Sequence, residues 1–326
     1  MAQVDIPAPV DRVDVLLYSG IPTRESAALR RFTSFLVSAA ESDDSAVAYA
    51  ARLAAASGAS VTITNAMEEL PAAVGKQLPA GWDVPELVRT WNQALVKRAA
   101  ARARRLGVDA ETLLLDGPPG EALVREVERG GYDLLVVSAP GNGIISSTLS
   151  TAARLVRDCP RPVLLVRASR RRRTPRLLVG IDAHVLRDSD ADALAGVLLD
   201  SALWFAEQIG GEVHVLYAWQ SYGEGPMRWG GVPPAAIAEY HAAAEKEAYD
   251  ELEKVVARYR DRIARSGVHV RMGDPRKVIS RFATEMRVDL LVIGTVARSG
   301  IAGRIIGNTA EVLLARLPCS MLVVRP

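Results

Sequence analysis

Short uninterrupted apolar runs alternate along this chain with longer amphipathic stretches. Runs such as "LLVVS" at 134–138 and "LLVIG" at 290–294 are too short for helices and have no polar alternation, so they predict parallel strands buried on both faces. The stretches before them place apolar residues at helical spacing, after a turn containing Gly and Pro. "GPPGEALVREVERGGYDLLVVS" from Gly117 and "GDPRKVISRFATEMRVDLLVIG" from Gly273 share this order at a constant offset of 156 residues. The chain is one unit written twice.

The repeat extends upstream. "FTSFLVSAAE" (Phe32 to Glu41) matches "PRLLVGIDAH" (Pro175 to His184) as an opening strand. Each is followed by an Ala-rich helix ending in Gly and by a second strand, "SVTITN" at 60–65 and "EVHVLYAW" at 212–219. Loops with Pro, Gly and Trp then lead to long helices, around 84–106 and 234–266. The closing strands are "PVLLVR" at 162–167 and "SMLVVR" at 320–325.

The predicted fold class is therefore α/β: two doubly wound five-stranded parallel-sheet domains in tandem, each with strand order 3-2-1-4-5. The expected boundaries are 1–170, including an N-terminal extension in which "VDVLLYSGI" reads as an added edge strand, and 171–326. A length of 326 residues fits two such domains.

Charge changes the picture by exclusion. With 40 basic and 38 acidic side chains the net charge is only +2, so no global attraction to nucleic acid or anionic membrane is expected. The linker "RASRRRRTPR" (Arg167 to Arg176) is basic but lacks interleaved aromatics, and reads as a solvated connector. No apolar run approaches the roughly 20 residues that span a bilayer, and "MAQVDIPAPVDRVD" does not resemble a secretory signal, so a cytoplasmic location is expected. Cys159 and Cys319 lack metal or disulfide spacing and read as small buried hydrophobes. His184, His214, His241 and His269 fall one per element, without metal-ligand spacing; His214 and His269 read as partly exposed strand positions.

Candidate chemistry lies at the carboxyl ends of the second copy's strands 1 and 4, where an open parallel sheet takes ligands. Strand 1 ends at Asp182, which either accepts from an adenine amino group or ribose hydroxyl or caps the next helix. Strand 4 runs into "GTVARSGIAGRIIGNTAE" at 294–311. There Gly294 lets a ribose or phosphate approach the backbone, Thr295 and Arg298 follow, and Gly307, Asn308 and Thr309 open a helix whose N-terminus attracts anions. Without a ligand, Gly307 simply turns the chain and Asn308 caps the helix.

On these residues the chain resembles the universal stress protein family, as a tandem-domain member of its E class. The resemblance implies an adenine nucleotide, ATP with accompanying Mg, held without efficient catalysis by Asp182, Gly294 and Gly307. Ala297 stands at the family's second glycine and Asn308 at its hydroxyl residue, changes expected to weaken binding rather than exclude it; a positive φ at Ala297 costs about 1 kcal/mol. In the first copy the equivalent positions are Ala40, Ser138, Gly141 and Thr151, so that half is expected to lack the site. Pairing of the two halves through their last strands, a homodimer, and protein partners are the associations the resemblance implies. The alternatives are a scaffold that binds no nucleotide and an adenine-nucleotide hydrolase, for which no nucleophile–base pair is visible. Tyr222, Met227 and Trp229, in "QSYGEGPMRWGGVPP" (Gln220 to Pro234), either cover a ligand or pack between domains.

Overall fold

The computed structural model describes residues 31–68, 83–139, 147–168, 172–182, 191–294, 310, 312–314 and 318–325. The first half runs β1 (Ser34–Ser38), α1 (Ser45–Ser57), β2 (Ser60–Met67), α2 (Val84–Arg105), β3 (Glu111–Asp116), α3 (Pro119–Gly130), β4 (Leu134–Ser138), α4 (Ser147–Asp158) and β5 (Val163–Val166). The second runs β6 (Arg176–Asp182), α5 (Ala191–Ile209), β7 (Glu212–Trp219), α6 (Glu224–Trp229), α7 (Pro234–Val256), a 3-10 helix (Ala257–Arg262), β8 (Val268–Met272), α8 (Pro275–Glu285), β9 (Leu290–Gly294) and β10 (Ser320–Val324). The segment "VDVLLYSGI" lies outside the described residues.

The strands form one sheet in the order β3-β2-β1-β4-β5-β10-β9-β6-β7-β8, so each half has the expected 3-2-1-4-5 order. All pairs within a half are parallel. The halves join where β5 and β10 run antiparallel, with Leu164 opposite Leu322. That seam is apolar on both faces, and each face carries a core cluster drawn from both halves. On one face Trp204 of α5 meets Phe32 and Phe35 edge-on, at centroid distances of 5.0 and 6.4 Å.

The repeated acid before strand 4 has a structural role in each copy. Asp133 accepts from Thr33 N–H at 2.7 Å and Ser34 N–H at 3.0 Å, and its own N–H donates to the Ser34 carbonyl. Asp289 accepts from Arg176 N–H at 2.8 Å, and its N–H donates to the Arg176 carbonyl. Each acid ties the start of strand 4 to the start of strand 1, satisfying donors that the ladder leaves unpaired.

Helix ends follow local chemistry. Asp83 and Asp274 accept from N–H groups in the first turns of α2 and α8. After α3 the chain turns at Gly131, φ 68°, but after α8 the equivalent residue is Arg287 at φ 51°, the one positive-φ non-glycine among the described residues. Arg287→Gly is expected to stabilise the protein by about 0.5–1 kcal/mol, because glycine adopts this conformation without a Cβ clash. Urea denaturation reads this directly; a destabilised variant would show that the arginine side chain outweighs the strain.

The long helix expected over 234–266 ends at Val256. The chain then tightens into the 3-10 helix, which carries the buried Tyr259 near Asp200 of α5. Cys159 and Cys319 are buried as expected, and burial pushes their thiols up to about 11 and about 12.

Candidate functional site at the carboxyl ends of β6 and β9

β6 and β9 are hydrogen-bonded neighbours, in register at Leu177–Leu290, Leu178–Leu291 and Val179–Val292. This brings Asp182, the last residue of β6, and Gly294, the last residue of β9, to the same end of the sheet. Asp182 pairs with Ala218 on β7, and Gly294 with Val324 on β10. The sequence places both residues correctly on strand ends because the apolar runs end there.

Gly294 does not owe its identity to backbone strain: it is absent from the positive-φ glycines. A methyl group added there would meet Leu194 of α5 at 3.4 Å, an ordinary contact. Gly180, earlier in β6, is more restrictive, since an added Cβ would lie 3.2 Å from Ile293. Thr295, Arg298, Gly307, Asn308 and Thr309, with Ala297, lie outside the described residues. Beyond them, 310 and 312–314 are helical, with Ala310, Leu313 and Leu314 buried.

The first half differs at the same place. Ser138, at the position of Gly294, reaches across with its hydroxyl toward the Asp43 carbonyl at 3.5 Å. Thr151, aligned with Gly307, lies inside α4.

The segment after β7 is better organised than its composition suggested. It contains α6, and Tyr222 and Trp229 are 67 % and 92 % exposed, which rules out packing between the halves. Tyr240 donates to the Tyr222 carbonyl at 3.2 Å, while His241 Nε2 lies 3.0 Å from Ser221 Oγ and 3.6 Å from Glu224. Glu224 is itself paired with Arg228 at 2.6 Å. Ser221 and Glu224 both approach the same ring nitrogen, so the trio lacks the relay geometry of a nucleophile, base and orienting acid.

The histidines require a correction. His214 and His269 are not isolated, and His214 is buried, with 5 % exposure. Leu216 of β7 is in register with His269 of β8, which makes His214 a diagonal neighbour on the same face. Residue spacing alone carries no such signal, since the contact depends on register. Among the described residues no group of three or more His, Cys, Asp or Glu side chains is arranged to hold a metal, and no helix is long and apolar enough to cross a membrane.

Comparison with known proteins gives a family. The profile of the universal stress protein family matches residues 36–167 and again 174–325. Universal stress protein E homolog from Haemophilus influenzae is 29 % identical over 210 residues, covering 63 % of this chain and 66 % of that protein. Universal stress protein E from Escherichia coli K12 is 28 % identical over 218 residues, covering 64 % and 65 %. The match thus spans slightly less than two thirds of these relatives' length. A functionally unknown protein from Pseudomonas aeruginosa PAO1 shares the fold at a TM-score of 0.66 and 21 % identity, over 92 % of this chain and 95 % of that one. A universal stress protein from Archaeoglobus fulgidus does so at 0.58 and 16 %, over 90 % and 98 %. Two matched halves, each with the same strand order and joined in one sheet, make this chain a tandem-domain member of the universal stress protein family.

Proposed function

We propose that this is a stress-response protein whose second half binds one adenine nucleotide, ATP, and does not turn it over efficiently. The observation that carries this reading is the adjacency of β6 and β9, with Asp182 and a side-chain-free Gly294 at neighbouring strand ends. Asp182 would accept from the base or ribose, and the loop from Thr295 to Thr309 would supply Arg298 and the backbone N–H groups of Gly307, Asn308 and Thr309 to the phosphates. Gly294 fits this arrangement, having neither a strained φ nor a clash that would otherwise explain it. An accompanying Mg would be carried by the phosphates.

Native mass spectrometry of the full chain with millimolar ATP tests the reading. One added nucleotide per chain is expected, and none would refute it. A second reading, a scaffold that binds no nucleotide, is favoured by the shared cores and by the Ser138 contact that crosses the first half's equivalent position. Protein partners and a homodimer belong with that reading.

A further inference from the structure

We propose that His214 and His269 form an acid-sensitive latch holding the outer strand β8 and helix α8 onto the second half, with no counterpart in the first half. His214 Nδ1 and His269 Nε2 lie 3.3 Å apart, with the rings stacked at 25°. One proton fits between these nitrogens. When both carry one, two N–H groups face each other and the bond is lost.

The surroundings oppose an added charge on His269. Arg176 from β6 donates to Glu212 Oε1 at 3.0 Å, and the same oxygen lies 3.4 Å from His214 Nε2. Burial pushes the Glu212 carboxyl up, but the Arg176 and His214 contacts outweigh this and hold it low. From β8, Arg271 adds a second guanidinium. From α8, Phe282 covers the His269 ring at 4.7 Å, and Arg271 of β8 lies over the Phe282 ring at 5.9 Å. Two guanidiniums therefore face one carboxylate, and that carboxylate is already engaged.

Burial first, then His214 and Arg271, hold the His269 imidazole down at about 4, against its usual 6.5. Its folded value lies below its unfolded one, so it leaves stability intact above about pH 6.5 and erodes it as pH falls toward about 4. The loss falls on β8, which among the described residues ends the sheet and pairs with β7 alone. By register, the first half places Thr62 and Leu113 where the second has His214 and His269, and the 156-residue offset places Glu126 at Phe282. The opposite edge, β3, therefore carries no imidazole to titrate.

Native-state hydrogen exchange of the full chain at about pH 7 and about pH 4.5, corrected for intrinsic rates, tests this. Val268–Met272 and Pro275–Glu285 should lose about tenfold or more of their protection in acid, while Glu111–Asp116 and Pro119–Gly130 change less than about twofold. His269→Leu, which installs the residue found at Leu113, should keep its protection at both pH values. If that variant is already loosened at neutral pH, His269→Gln takes its place as a polar side chain that does not titrate. Equal loss at both edges, or a variant that loosens in acid as much as the wild type, would overturn the latch.

Discussion

Trp204→Ala is expected to remove about 3–5 kcal/mol of unfolding free energy and to make the two halves unfold in separate transitions. Trp204 belongs to the second half, but its ring packs edge-on against Phe32 and Phe35 of the first and against Phe205 of its own helix at 5.1 Å. All four aromatic side chains are buried within the core cluster that crosses the seam. Deleting the indole removes a large apolar surface and leaves a cavity between α5 and the β1 end of the first half that cannot collapse without shifting the halves. The β5–β10 ladder, with three paired residues on each strand, and the apolar cluster on the opposite face would remain as the contacts between them. Urea denaturation followed by far-ultraviolet circular dichroism checks both effects. A loss below about 1 kcal/mol, or one unchanged transition, would show that the seam does not depend on this cluster.

The second large effect concerns the ligand. Asp182→Ala is expected to weaken ATP binding by about tenfold to a hundredfold, the equivalent of losing one charge-assisted hydrogen bond of about 1.5–3 kcal/mol. Stability should hardly change, because Asp182 ends β6 and its ladder contact with Ala218 is made by the backbone. Equilibrium dialysis with labelled ATP, together with a thermal melt of the same variant, separates the two. Unaltered affinity would place the nucleotide elsewhere, and a collapsed melt would assign the carboxylate to the fold.

Most of the architecture could be read from the residues because it follows from local physics repeated twice. Five-residue apolar runs define the strands, the Gly-Pro turns at Gly117 and Gly273 mark the helix starts, and Gly58 and Gly210 end the Ala-rich helices in left-handed conformations. The acids at Asp133 and Asp289 were visible as repeated residues, but their roles in tying strand 4 to strand 1 depend on tertiary pairing. The same holds for His214 and His269, whose contact follows from strand register. The end of α7 follows a similar pattern, since helical periodicity continues past Val256 while the chain tightens to a 3-10 helix that buries Tyr259. At the candidate site, residue order alone located Asp182 and Gly294 on strand ends. That β6 and β9 lie side by side came from the rule that two doubly wound halves reverse direction there, and the pairing agrees.

The central claim is that one half of this tandem protein retains a nucleotide site and the other does not. Calorimetric titration of the full chain with ATP measures this most directly, because it counts sites as well as weighing them. A stoichiometry of one nucleotide per chain, lost or strongly weakened in Asp182→Ala, is the expected result. No binding at millimolar ATP would contradict the claim for the second half, and two equivalent sites would contradict it for the first.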